Sequence, residues 1–223
     1  MHRGTASGVA EVALFLLEPS RAPLAEWLPT LSATEQARAG RFKFEADRAA
    51  FIATHGLLRW ALDARGLASE FELGPHGKPR LASGALHFNV SHCRELVAVA
   101  IGDRELGVDV EPIDARHSTD DVARRVYGPR ELEDLFAREG AQRLERFFTR
   151  WVLKEAWVKA TGVGIHDALP SFELELGEGD ARVISGDAAR WKFSWWTPLP
   201  SVKLALCIDS ESQPNVEPQF WEP

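Results

Sequence analysis

A chain of 223 residues with 45% hydrophobic and 26% charged residues has the composition of an ordinary globular protein and can bury one large core or two small ones. Its longest wholly apolar run, Leu96 to Ile101, falls far short of the roughly 20 residues of a membrane span. A net charge of −7 disfavours general nucleic-acid binding, so any phosphate ligand has to meet a local basic pocket.

Val12 to Leu17 is too short for a signal-peptide core and is expected to form a first strand. A helical region follows from Ser32 to Arg65. Ser32 and Glu35 are spaced as a capping box, Arg48 to Ala64 carries apolar residues at helical intervals, and Gly66 is a stop. PHGKPR, residues 75 to 80, reads as a turn. LHFNVSH, LVAVAI and LGVDVE then read as three strands joined by short polar connections.

Helical signals resume after Pro112: Thr119 to Val126, then Pro129 leading ELEDLFARE, then Leu144 to Ala160 with Gly162 as C-terminal cap. SFELELG, RVISG, WKFSWWTP and VKLALCID are expected strands, and the polar tail from Glu211 is expected to be loosely ordered. Each half thus places helices before strands. The fold class is α+β, with an N-terminal half over 1–105, a C-terminal half over 106–223 and a soft boundary between them. The two cysteines, Cys93 and Cys207, offer neither a disulfide framework nor a CxxC metal pair, which fits two structural thiols and a reducing cytoplasm.

Chemistry concentrates in two places. In GVDVE the strand period puts Asp109 and Glu111 on one face and Val108 and Val110 on the other. Two such acids either face water at a sheet edge or share a hard cation such as Mg²⁺, which takes carboxylates together with phosphate oxygens. In RWVLKEAWVKATG, residues 150 to 162, the stripe Leu144, Phe148, Trp151, Glu155, Val158 and Gly162 is one helix face with a single carboxylate in it. Buried there, Glu155 must be paired, protonated or metal-bound. Lys159, one turn on, is its bland partner. Three acids with Lys154 and Lys159 nearby would suit phosphoryl transfer. A structural zinc site from His76, His87, His92 and Cys93 lacks two closely spaced ligand pairs.

GKP, FNVSH, GVDVE and FFTRWVLKEAWVKATG, in this order, resemble the surfactin-type 4′-phosphopantetheinyl transferases over about residues 10 to 208. Trp151, Lys154, Glu155 and Lys159 match that family's WxxKExxxK signature and Gly107, Asp109 and Glu111 its GxDxE motif. The resemblance implies a fold of two similar halves related by a pseudo-twofold axis, with coenzyme A in the cleft between them. It implies transfer of the phosphopantetheine arm to a serine of an apo acyl, peptidyl or aryl carrier protein, by a cytoplasmic monomer.

By position, Asp109, Glu111 and Glu155 would ligate Mg²⁺, and Glu155 and Lys159 would be catalytic. Trp151 and Lys154 would line the pantetheine side. Gly77, Lys78, Pro79, Ser91 and His92 would hold the adenine nucleotide. Ala50 stands where a phosphate-binding arginine aligns, which leaves Arg38, Arg41 or Arg48 for that role. Arg124, Arg125 and Arg130 are a candidate carrier-docking patch. Two other readings compete with transfer: a non-catalytic coenzyme A or carrier-protein binding module, and a different Mg²⁺-dependent phosphotransferase; the second is narrowed by the absence of a P-loop sequence.

Overall fold

A computed structural model describes residues 10–74, 77–163 and 172–222. Strand β1 (Val12–Leu17) is followed by α1 (Leu24–Trp27), α2 (Ala33–Ala39) and α3 (Glu45–Asp63). The expected capping box starts α2: the Glu35 N–H donates to Ser32 Oγ at 3.3 Å and the Ser32 N–H to Glu35 Oε2 at 2.8 Å. The helical region from Ser32 to Arg65 is therefore two helices, broken between Ala39 and Glu45.

Strands β2 (Phe71–Leu73) and β3 (Pro79–Leu81) form a small antiparallel pair across the turn read in the sequence. Next come β4 (His87–His92), β5 (Val97–Gly102) and β6 (Leu106–Pro112), then α4 (Asp120–Val126), α5 (Pro129–Phe136) and α6 (Gly140–Thr161). Helix α6 begins one turn before the expected Leu144 and ends where expected. Gly162 adopts the left-handed conformation at φ 73° and its N–H donates to Val158 O. Strands β7 (Phe172–Leu176), β8 (Asp180–Gly186), β9 (Trp191–Leu199) and β10 (Val202–Asp209) complete the second set. Ser171 and His76, both named in the sequence reading, lie outside the described residues.

Two larger sheets result, ordered β11-β1-β5-β4 and β6-β10-β9-β8-β7, where β11 is Gln219–Phe220. One face of each sheet meets the other: Leu14, Leu16, Ala98 and Ala100 pack with Val108, Val110, Leu204 and Leu206 in one buried cluster. The outer faces are covered by helices. Ala53, Leu57 and Ala61 of α3 close the first sheet, and Val152, Leu153, Ala156 and Ala160 of α6 close the second. The layers are thus helix, sheet, sheet, helix, an α+β arrangement. No helix among the described residues is long and apolar enough to cross a membrane.

The tail departs from expectation. It returns to the first sheet, where β11 pairs parallel to β1 and the Trp221 N–H donates to Leu16 O at 2.8 Å. Trp221 is 7% exposed and its ring meets Trp27 edge-on at 5.1 Å. The Trp221 ring carries this docking, whereas Phe220 beside it stays exposed. Trp221→Ala is expected to lower unfolding free energy by about 3 kcal/mol, from the loss of a large buried ring, as read by chemical denaturation. An unchanged midpoint would contradict the docking.

Candidate active site

The acids of β6 are buried because α6 lies directly on that strand. A Cβ added to Gly107 would sit 2.1 Å from Ala156 O and 2.4 Å from Ala160 N, so only a glycine lets the helix backbone approach. The crossing covers the strand face that carries Asp109 and Glu111. Asp109 is 2% exposed, which excludes a solvated acidic edge.

Strand β4 supplies the third wall without a main-chain ladder to β6. Its Asn89 Oδ1 accepts from the Val108 N–H at 2.9 Å, and Ser91 Oγ accepts from the Val110 N–H at 3.2 Å. The period of FNVSH puts these two polar side chains on one face, where they satisfy the edge of β6. Ser91 Oγ also donates to Asp109 Oδ1 at 3.1 Å.

Lys159 lies at the centre of the cluster. Its Nζ donates to Asp109 Oδ1 at 2.6 Å and to Ser91 Oγ at 2.7 Å. The lysine therefore pairs with the strand acid and not with Glu155 one turn before it. Among the described residues Glu155 Oε1 and Asp109 Oδ2 are left buried with no hydrogen-bond partner. Burial, and then the Asp109 charge, push the Glu155 carboxyl up to about 7 against the pull of Lys159, with Glu111 adding to the rise. The Glu111 carboxyl is raised by burial and by Asp109, with Trp151 and Lys159 opposing.

Two orphaned carboxylate oxygens inside a crowded negative cluster are what a hard cation would satisfy. The expected trio is nevertheless not a closed cage. Among the described residues no three His, Cys, Asp or Glu side chains converge as a cation site. The fit is to a cation that takes one or two carboxylates and completes its shell with water and ligand oxygens, as Mg²⁺ does.

Of three cavities nearby, one is lined by a residue of the cluster itself, Glu111, and the other two by its sequence neighbours. One of about 750 Å³ is lined by His92, Ala50, Asp47, Arg94 and Arg116. One of about 430 Å³ is lined by Glu111, Trp151, Phe147 and Phe148. One of about 620 Å³ is lined by Lys78, Pro79 and the C-terminal end of α6. His92 is held below its ordinary pKa by the protein around its ring and then by Lys159 and Arg38, which places both cations within electrostatic reach of it.

Known proteins share this pattern. The profile of the 4′-phosphopantetheinyl transferase superfamily matches residues 105–207, from the start of β6 through most of β10. The 4′-phosphopantetheinyl transferase HetI of Nostoc sp. is 36% identical over 214 residues, covering 92% of this chain and 88% of its own length. The chain belongs to the 4′-phosphopantetheinyl transferase superfamily. The transferase psf-1 of Bacillus pumilus is 32% identical over 198 residues, 84% of this chain and 83% of its own. A holo-(acyl-carrier-protein) synthase from Bacillus anthracis, solved with CoA (3′,5′-ADP), aligns over 48% of this chain and 96% of its own at 20% identity and a TM-score of 0.42. The chain is a transferase of this class.

Within this 4′-phosphopantetheinyl transferase, two lysines of the sequence reading are engaged elsewhere. Lys154 is 0% exposed; its Nζ donates to Phe172 O at 2.6 Å and lies 3.0 Å from Glu131 Oε2. It cannot line a pantetheine channel from there. Glu131 is itself saturated, since it also accepts the Gly128 and Leu174 N–H groups. Lys78 Nζ donates to Ala160 O, Leu106 O and Glu105 Oε2 at 2.8, 2.9 and 3.2 Å. It ties the end of α6 to the start of β6, so its ammonium is already engaged, and Pro79 and Arg80 line the cavity beside it.

Among the first-half arginines, Arg48 pairs with Glu45 at 2.9 Å, and Arg38 and Arg41 are exposed; Arg38 lies over the Phe51 ring and acts on His92. Ala50 is buried and faces the His92 cavity. The sequence reading missed Arg94 and Arg116, which line that cavity and are paired with Asp47 and Asp114. Both come from loops with no periodic signal. Asn89 was missed as a functional contact although its alternation with Ser91 was visible.

The stripe through Trp151 and Glu155 is the shoulder of α6, since Val152, Leu153 and Ala156 form its centre. Trp151 is half-buried, against the Phe147 ring.

Two outcomes follow from these contacts. Lys154→Ala leaves Glu131 buried without its cation and is expected to cost about 3 kcal/mol in unfolding free energy, while KM for coenzyme A in the folded protein stays unchanged; a large KM rise without destabilisation would restore the pantetheine role. The raised Glu155 carboxyl means that the folded protein holds a proton the unfolded chain releases. Metal-free stability should therefore fall as pH rises from the ordinary value of 4.5 to about 7, and level above that. Glu155→Gln removes the fall, so its Tm gain in chelator should be larger at pH 8 than at pH 5, which thermal melts at the two values check.

Proposed function

We propose that the chain transfers 4′-phosphopantetheine from coenzyme A to the serine of an apo carrier protein at the Asp109–Lys159–Glu155 cluster, with release of adenosine 3′,5′-bisphosphate. The observation that carries this is the buried, unpartnered Glu155 carboxyl beside Asp109, with the Lys159 ammonium on that aspartate.

In the proposed reaction the serine oxygen forms a bond to the β-phosphorus as the bond to the α-phosphate oxygen breaks. Glu155, with a carboxyl near neutrality, is suited to accept the serine proton. Lys159 is placed to neutralise charge developing on the departing bisphosphate, a role that needs it to move little. Asp109 and Glu155, with Glu111 beside them, would hold Mg²⁺. The ion would supply positive charge to the pyrophosphate oxygens. Ser91 orients Asp109 and Lys159 together. His92 and Arg38 are suited to the 3′-phosphate, and the Glu111–Trp151 cavity to the pantetheine arm.

We also read the chain as two related halves, 1–105 and 106–223 with a soft boundary, about a pseudo-twofold axis with the site in the cleft between them. The strand orders support it. In the first half β1, long helix α3, then β4 and β5 give β1-β5-β4; in the second β6, long helix α6, then β9 and β10 give β6-β10-β9. The two free thiols support a reducing cytoplasm.

Incubation with coenzyme A, Mg²⁺ and several apo carrier proteins should add one phosphopantetheine mass to the carrier, read by mass spectrometry. Glu155→Gln should lower kcat by about 10²- to 10⁴-fold with an unchanged far-UV spectrum. Wild-type-like transfer by that variant would remove Glu155 from the chemistry, and no modification of any carrier would overturn the proposal.

A further inference from the structure

On another side of α6, Arg150 is 3% exposed, yet among the described residues its Nε and Nη1 have no hydrogen-bond partner. Arg150 lines a cavity of about 420 Å³ between α5, α6 and the β7–β8 hairpin, together with Arg130, Asp134, Arg146 and Arg182. Buried donors left unmade cost on the order of 1–3 kcal/mol each, so their persistence in a folded protein calls for an acceptor.

The local charge points the same way. Among the described residues Asp134 is the one carboxylate that Arg138, Arg146 and Arg150 share, with the Arg146 Nε 3.2 Å from its Oδ2. Arg182 pairs with Glu175, and Glu133 offsets Arg130 at the rim. Two positive charges are therefore left over around Asp134. Burial lowers the Arg146 pKa, and the Arg138 and Arg150 charges lower it further against the pull of Asp134. A guanidinium stays charged at neutral pH in proteins.

We propose that this cavity binds a tetrahedral oxyanion of the phosphate class, held by the Arg150 and Arg146 guanidiniums. Guanidinium forks match phosphate oxygens bidentately, and an anion would balance the excess charge and draw the unmade Arg150 donors toward it. The site is separate from the transfer chemistry, because Arg150 and Glu155 lie five residues apart on α6 and so point to different sides of it. Its occupant would staple α5 to α6 and to the second sheet.

Isothermal titration with inorganic phosphate tests the site in the full-length protein carrying Lys159→Ala, which suppresses phosphate binding at the catalytic cluster. Millimolar or tighter binding is expected, weakened about tenfold or more by Arg146→Gln. A parallel titration with glycerol 3-phosphate distinguishes free phosphate from a phosphoryl group on a larger molecule. Crystals grown in selenate should show an anomalous peak within hydrogen-bond distance of Arg150. Because Arg150→Gln can unfold the protein, the decision rests on Arg146→Gln and the selenate peak. Absence of binding, binding indifferent to Arg146→Gln, or a water-filled cavity in selenate would overturn the proposal.

Discussion

The contact on which the rest depends is the backbone approach of α6 to β6 at Gly107. Because that residue has no Cβ, the helix sits within a few ångströms of the strand, with the Ala156 carbonyl and the Ala160 amide over the glycine. Two residues on, the same strand face carries Asp109, and the same helix face carries Glu155 and Lys159. The close approach thus seals Asp109 and Glu155 away from water and leaves Lys159 half-buried beside them. A bulkier residue at 107 would lift the helix and hydrate the cluster. Lys78 reinforces the crossing from its far end by gathering the carbonyls of Leu106 and Ala160.

Sealing like charges together is costly, and the protein resolves the cost only in part. Lys159 and Ser91 compensate one oxygen of Asp109, while the other oxygen and one of Glu155 stay unsatisfied. A fully satisfied network would be more stable and less useful, since nothing would be left to bind a cation or accept a proton. The contrast with Lys154 and Glu131 is instructive. That pair, Lys154 on α6 and Glu131 on α5, is as deeply buried, but Glu131 receives two backbone N–H groups and the lysine also donates to a carbonyl. Equal burial therefore supports structure in one place and reactivity in another, and the number of hydrogen bonds separates them.

Helix α6 organises three chemistries on different sides. One side closes the second sheet with Val152, Leu153, Ala156 and Ala160. Another presents Glu155 and Lys159 to β6. A third holds Arg146 and Arg150 on Asp134 of α5. The N-terminal half contributes less to the acid cluster than to its surroundings. Strand β4 brings Ser91 and His92, α2 brings Arg38, and the returning tail locks β1 in place through Trp221.

Much of this was determined by the sequence itself. Period-2 alternation in GVDVE and FNVSH fixes which side chains share a strand face, and the Ser32–Glu35 spacing and Gly162 fix helix ends, because these are local geometries. The motif order sufficed for the family. What only the tertiary structure decided are partnerships between distant segments. Lys154 and Lys159 differ by five residues of one helix, and nothing local tells that the first meets Glu131 in a sealed pocket while the second meets Asp109. Trp221 could not be placed against Trp27 from a polar tail, nor Arg94 and Arg116 in the His92 cavity. Pairing of charges across elements is set by how the layers stack, and that stacking depends on the summed burial of residues far apart in the chain.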